Sequence, residues 1–517
     1  MDGSVEKPAD DWGPFGRPLF SDPALRRLSR VGVVDVGSNS VRLVIFDGAA
    51  RSPAYFYNEK IMAALGAGVQ QTGQLNPRGR TRALAAIRRF QLLAETMGIA
   101  PLTAVATAAV REAEDGPDFC AEVLRETGLV LHVIPGEEEA RLSAQGVLLG
   151  WPDASGMVCD IGGSSMELAA LTAGKVGACA TSALGPLRLQ AIRSKKARKV
   201  HIREIIAGLV AQMGAHQDRL YLVGGSWRAI ARLDMERRGY PLHVMHEYRM
   251  TPKAITQTLN WIAAHDLADL RAMTGISEAR ITLVPLACEV LKELVRALKP
   301  SEIAVSSYGI REGMLYEQMP DRLRHRDPLI EACHFAEAKD ARQPGFGKVL
   351  FKFLSPLFRN IPDQRMRVIM AACLLHDVSW RAHPDYRHEV CFDYATRASL
   401  GGLTHTGRVF LGLALLHRYK NSREGTRFEP LFNLLGEKDI AQAEVLGKAL
   451  RFASMLAADD ARLIGQLRWF PKKKRLEIWL PARSFGLFGE VAESRFRALA
   501  AALGAEPVVK KQRRSAA

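Results

Sequence analysis

Apolar residues come in short blocks over the first three hundred positions and in longer, helically spaced runs after about residue 325. Short blocks bounded by Gly, Ser, Asn or Pro read as strands, and apolar positions repeating every three to four residues read as helices. On this basis residues 31–34 and 43–46 predict two strands around a small-residue turn, and residues 157–159 and 168–171 predict two more. Between the pairs, residues 78–97 carry Leu84, Ile87, Leu92 and Leu93 as a helical face, and 102–106 and 130–134 are strands. Pro135-Gly136 followed by Glu137, Glu138 and Glu139 opens a helix, because carboxylates complement the positive end of the helix dipole. Beyond the second pair come a strand at 220–223, a helix at 284–298, a strand at 302–306, and a turn bracketed by Gly309 and Gly313 that enters another helix. The remainder reads as helical (365–375, 441–456, 490–503), apart from Leu476, Ile478 and Leu480, whose alternation predicts a short strand.

The two strand pairs carry one motif twice. The first copy is Asp35-Val36-Gly37-Ser38-Asn39-Ser40-Val41-Arg42-Leu43 and the second is Asp160-Ile161-Gly162-Gly163-Ser164-Ser165-Met166-Glu167-Leu168, in register at an offset of 125 residues. Each reads as a β-hairpin with a donor-rich turn. Glycine there lets the backbone approach a ligand, and the turn N–H groups and hydroxyls can cradle phosphate oxygens. The candidate phosphate-binding positions are Asp35, Gly37, Ser38, Asn39 and Ser40 in one copy and Gly162, Gly163, Ser164 and Ser165 in the other. A third candidate is Gly224-Gly225-Ser226, where a strand, a turn and a helix start present backbone donors to an anion. The expected organisation is a disordered segment at 1–30, two similar α/β halves at 31–145 and 146–318 facing a cleft, and a mainly helical region with a small terminal subdomain at 325–517. The ligand between the halves is expected to be phosphorylated.

Charge narrows that ligand. The net charge is +16 and the pI about 9.6, which points to a polyanionic partner. Three basic runs contribute: residues 195–199, residues 472–475, and Lys510-Lys511 with Arg513-Arg514. Each run alone reads as a solvated loop or frayed tail; their sum does not. No apolar run reaches the ~18–20 residues needed to span a bilayer, and residues 1–30 lack the apolar core of a signal peptide, so a cytoplasmic protein is expected. Seven scattered cysteines without a Cys-x-x-Cys pair predict free thiols.

Four residues are candidates for chemistry. Asp160 and Glu167 lie on the two arms of the second hairpin, where they can share a hard cation such as Mg²⁺. Glu139, at a helix start, is a candidate base for a water molecule, and Arg111, at a strand end, a candidate phosphate clamp.

These motifs, together with 106–112, Gly136-Glu137-Glu138-Glu139-Ala140-Arg141-Leu142, Val223-Gly224-Gly225-Ser226-Trp227 and Tyr308-Gly309-Ile310-Arg311-Glu312-Gly313-Met314, resemble the exopolyphosphatase/guanosine pentaphosphatase family in order and spacing over about residues 31–318. The resemblance implies two actin-like (ribonuclease H-like) domains. It implies Glu139 as general base, Asp160 and Glu167 as the pair tied to Mg²⁺, Arg111 as a phosphate contact, and the three small-residue loops as phosphate and nucleotide loops. Two positions differ: Ser164 stands where the family often has a third glycine, and Trp227 where it more often has a small residue. Leu374-Leu375-His376-Asp377, with His334 upstream, resembles the core of an HD-type metal phosphohydrolase, but Ser454 follows 450–453 where that pattern has Asp. Long-chain exopolyphosphatases carry such a degenerate helical appendage, which implies a structural or polymer-guiding role and a homodimer. The expected activity is Mg²⁺-dependent removal of terminal orthophosphate from inorganic polyphosphate. The alternatives are hydrolysis of guanosine pentaphosphate at the same site, a kinase-like transfer, and a non-catalytic polyphosphate or nucleotide sensor.

Overall fold

The computed structural model describes residues 30–47, 51–99, 102–214, 218–457 and 464–512. The segment expected to be disordered, 1–30, lies outside the described residues save for Arg30, as do Arg513 and Arg514. The chain divides into two compact units between Arg326 and Asp327.

The first unit contains two sheets built on one plan. In the first, β1 (Val31–Val36), β2 (Val41–Phe46), β3 (Tyr55–Ile61), β4 (Thr103–Ala106) and β5 (Leu131–Val133) lie in the order β3-β2-β1-β4-β5. The first three form an antiparallel meander, and β4 and β5 continue it in parallel. In the second, β6 (Gly156–Ile161), β7 (Met166–Thr172), β8 (Lys175–Ser182), β9 (Arg219–Val223), β10 (Tyr248–Met250) and β11 (Glu302–Val305) lie in the order β10-β11-β9-β6-β7-β8. Taken from β8, this is again a meander followed by two parallel strands, with β10 added antiparallel at the edge. The repeated motif thus marks a repeated fold, with one apolar core per half.

Local sequence explains which strands are central. VGVVDV of β1 and GMVCDI of β6 are nearly continuous apolar runs, buried on both faces between neighbouring strands. The third strand of each meander, β3 and β8, escapes the sequence reading. Both are partly exposed along their length, and polar or small residues interrupt every apolar block.

Two helices join the halves. Gly136–Gly150 runs through the boundary expected at 145/146 and packs against Ile310–Glu317. The approach is close enough that a Cβ at Gly313 would lie 1.8 Å from the Leu142 carbonyl oxygen, and one at Gly146 would lie 2.2 Å from that of Gly309. Only hydrogen fits at either place, and the crossing fixes the helix start that carries Glu139.

The second unit is mainly helical, with long helices such as Asp363–Leu375, His405–Tyr419 and Glu437–Ala457. A small sheet of β12 (Gln466–Phe470), β13 (Arg475–Leu480) and β14 (Glu506–Lys511) follows, bridged by the helix Glu490–Ala502. The described residues of the basic runs sit on defined elements. Residues 195–199 open the helix Lys195–Met213, Lys474 turns the β12–β13 connection, and Lys510 and Lys511 stand on β14. Among the described residues no helix is long and apolar enough to cross a membrane, and all seven cysteines are free.

Candidate functional site

The two motif turns are built alike. Gly37 N donates to the Ser40 carbonyl at 3.0 Å, and Gly162 N to the Ser165 carbonyl at 3.0 Å. Each turn is tied to its own half, through Gly66 N to the Ser38 carbonyl (2.8 Å) and Leu187 N to the Gly163 carbonyl (2.9 Å). The turns also meet: Ser38 Oγ and Ser164 Oγ are 2.9 Å apart. Ser164 therefore supplies a hydroxyl between the loops. Beside them, Gly224 has a φ of 112°, a conformation that favours glycine, and a Cβ there would lie 2.6 Å from the Ile161 carbonyl oxygen. Trp227 is fully buried in the core of the second half, so its bulk faces away from the loop.

These three loops line one cleft of about 290 Å³, together with Asp35, Glu139 and Asp160. Asp35 and Asp160 end the central strands β1 and β6, the position where open α/β sheets bind ligands. Across the hairpins, Asp35 pairs in register with Arg42, and Asp160 with Glu167. Five cations line the same cleft: Arg42, Lys60, Arg228, Arg280 and Arg311. Arg311 Nη1 donates to Asp35 Oδ2 at 2.8 Å. Burial pushes Lys60 below its ordinary value, and Arg280, Arg42, Arg311 and Arg228 push it further. Arg42 and Arg228 are lowered likewise, first by burial and then by Arg311. Mutual repulsion of this kind is what a bound polyanion relieves.

The carboxylates strain in the opposite sense. Asp160 Oδ2 accepts a hydrogen bond from Ser143 Oγ at 2.5 Å. Glu167 is 1% exposed; its Oε1 accepts from Thr181 Oγ1 at 3.2 Å, and its Oε2 is buried without a partner. Glu139 Oε2 lies 3.4 Å from Arg111 Nη1. Burial, then the charge of Asp160, push Glu139 up to about 8 against the pull of Arg111. Burial raises Asp160, opposed by the Ser143 hydrogen bond. Burial raises Glu167 as well, followed by Glu139 and Asp160. An orphaned buried carboxylate oxygen among mutually repelling carboxylates fits a hard cation. Among the described residues no group of three His, Cys, Asp or Glu forms an all-protein cage. The donor set suits Mg²⁺, which is commonly bound by one or two carboxylates plus phosphate oxygens and water.

Two sequence candidates stand back from the cleft lining. Glu167 lies behind Asp160. Arg111 sits on the short helix Ala108–Glu112, where its Nη1 donates to the Ile134 carbonyl at 2.8 Å and reaches Glu139. Arg111 therefore addresses Glu139, and the cationic wall is made by other residues. The sequence reading passed over all five of these. Arg42, Arg228 and Arg311 lie inside or directly after motifs it quoted. Lys60 sits on the overlooked β3, and Arg280 on the short helix Glu278–Ile281, with no local signature.

In the second unit the HD-like residues are each engaged by other groups. Arg342 donates to both Asp377 oxygens at 2.7 Å, and His376 Nδ1 donates to the Cys373 carbonyl at 2.8 Å. His334 Nδ1 lies 3.5 Å from Glu337 Oε2. No metal cluster gathers there among the described residues.

Comparison with known proteins bears on the whole chain. Exopolyphosphatase 1 of Mycobacterium tuberculosis is 25% identical over 304 residues, covering 56% of this chain and 88% of that protein. Retrograde regulation protein 2 of Saccharomyces cerevisiae is 24% identical over 435 residues, 75% of this chain and 72% of that protein. Among solved structures, an exopolyphosphatase from Cytophaga hutchinsonii superposes with a TM-score of 0.51 at 22% identity, covering 56% of this chain and 98% of that one. The Aquifex aeolicus Ppx/GppA family member gives 0.50 at 23% identity, with coverage of 56% and 97%. Both share the fold of the paired α/β halves. Residues 360–508 match the model described as exopolyphosphatase, C-terminal, and residues 44–322 match that of the Ppx/GppA phosphatase family. With over half of its length in that match and its paired loops in the corresponding fold, the chain belongs to the Ppx/GppA phosphatase family.

Proposed function

We propose that the protein is an exopolyphosphatase, which releases terminal orthophosphate from inorganic polyphosphate. The observation that carries this reading is that Glu139, Asp160 and five cations line one cleft with the three small-residue loops. A water molecule held by Glu139 attacks the terminal phosphorus, and Glu139 takes its proton. The bond from that phosphorus to the bridging oxygen breaks, and the shortened chain leaves with the oxygen. The turn donors of Gly37–Ser40 and Gly162–Ser165 and the guanidinium groups of Arg42, Arg228 and Arg311 hold the equatorial oxygens and stabilise their growing charge. Arg111 orients the Glu139 carboxylate and tempers its raised pKa. Asp160 and Glu167 would hold Mg²⁺, which when bound supplies charge neutralisation at the phosphates.

The net charge of +16 favours a long polymer over a single nucleotide, because an extended anion gains from every basic residue along its path. The test is orthophosphate release from long-chain polyphosphate with Mg²⁺, comparing the intact protein with Glu139→Gln, and with guanosine pentaphosphate in parallel. Release from the polymer that falls at least ~100-fold in the variant is expected. Turnover of the nucleotide alone would reassign the substrate. Salt-sensitive polymer binding without turnover of either would leave a sensor.

A further inference from the structure

The helical unit contains a second anion-seeking feature, independent of the cleft. A cavity of about 120 Å³ is lined by Arg342, Gln343, Phe346, His376, Asp377 and Ser454. That volume suits one small group and excludes a nucleoside. Among the described residues its only lining carboxylate, Asp377, is already consumed by the bidentate Arg342 pair at 2.7 Å.

Beside this cavity, Arg418 is 9% exposed, and its Nε is buried with no hydrogen-bond partner. Its guanidinium lies 4.8 Å from the Tyr419 ring and feels Asp377 in attraction and Arg342 in repulsion. Arg451, three residues before Ser454, is pushed down to about 10 by burial, then by Arg495 and Arg418. Arginine remains charged in such a setting, and a buried donor left unmade is costly. With Asp377 neutralised by Arg342, the second guanidinium beside the cavity, Arg418, leaves among the described residues an excess of positive charge that a compact oxyanion fits. His376 narrows the choice. Its Nδ1 donates to the Cys373 carbonyl, so in the neutral ring Nε2 is the acceptor. Hydrogenphosphate carries an O–H to meet an acceptor; sulfate does not.

We infer that the cavity at Arg342, His376 and Ser454, with Arg418 beside it, binds a single phosphate group. The same chemistry comes from free orthophosphate or from the end of a phosphate chain, and the test separates them.

The experiment is calorimetric titration of the full-length protein, without divalent metal and in a Glu139→Gln background, with orthophosphate, sulfate and long-chain polyphosphate. Arg418→Met removes the buried charge. Ser454→Asp, at a partly exposed position, places a negative charge in the cavity and leaves the core intact. The expected result is one class of orthophosphate site that weakens at least about tenfold in both variants, a difference of ~1.4 kcal/mol or more. That class should persist in Arg228→Met, a cleft variant, and should prefer orthophosphate to sulfate. Competition by the polymer for that class would assign it to a chain end, and indifference to the polymer would assign it to the free ion. Unchanged orthophosphate stoichiometry and affinity in Ser454→Asp, with the fold verified by circular dichroism, would overturn the proposal whatever the cleft turns out to do.

Discussion

The two motif hairpins share a backbone and differ in charge. In the first, Asp35 faces Arg42 across the strands and also holds Arg311 at 2.8 Å, so its carboxylate is neutralised by protein cations. In the second, Asp160 faces Glu167, and the nearest protein help is the Ser143 hydroxyl. A duplicated fold has thus become a site with two unlike walls. The first carboxylate is balanced by protein cations in its own surroundings. The other is left short of a cation, with Glu167 Oε2 buried and unpartnered.

The sharpest way to break this comparison is catalytic. Asp160→Asn and Glu167→Gln should each cut orthophosphate release by about 10²–10³-fold and raise the Mg²⁺ concentration needed for half-maximal rate. If either variant keeps its rate and metal dependence, the second wall is not a metal wall.

Stability should split the same two aspartates in the opposite direction. Asp35→Asn strands Arg311 and should cost about 2–4 kcal/mol in urea unfolding. Asp160→Asn removes one of several repelling carboxylates and should cost less than about 1 kcal/mol. Equal losses would show that both hairpins are balanced alike.

Proton linkage gives a subtler contrast. Glu139, Asp160 and Glu167 all titrate above their ordinary values in the fold. From the ordinary carboxylate value up to about 8 for Glu139, the folded protein binds more protons than the unfolded chain, so metal-free stability falls as pH rises. Mg²⁺ binds the deprotonated form. Its stabilising shift in Tm should therefore be larger at pH 8 than at pH 5.5, and Glu167→Gln should flatten that difference.

The smallest effect concerns the seam between the turns. Ser38→Ala removes the hydroxyl pair with Ser164 and should change stability by about 0.5–1.5 kcal/mol. Its rate should fall less than that of Asp160→Asn.

Much of this site was legible before any coordinates, because its core is local. Asp35 to Ser40 and Asp160 to Ser165 are contiguous, and a hairpin places Asp160 opposite Glu167 whatever the rest of the chain does. The cationic wall was not legible, because tertiary pairing assembles it. Lys60 reaches the cleft only through the register of β3 on β2, and the Ser38–Ser164 contact joins residues 126 positions apart. Arg311 lay in plain view between Gly309 and Gly313, but the pattern there announces a turn and says nothing of Asp35. Arg111 shows the converse: its position in a motif was visible, while its partner, Glu139, depends on how β4 and β5 align. Among the elements, β3 and β8 were lost because edge strands need no continuous apolar block, whereas 284–298 was drawn correctly because its apolar face is wide and uninterrupted.

The crossing at Gly313 has a consequence for anyone screening variants by growth or turnover. A single added methyl would drive into the Leu142 carbonyl oxygen at 1.8 Å, so even alanine must push apart the helix that carries Glu139. In a saturation library, position 313 will score as intolerant as the cleft carboxylates, although it does not line the cleft. Intolerance there records the spacing between two helices, and a library ranked by loss alone would place a bystander among the chemistry.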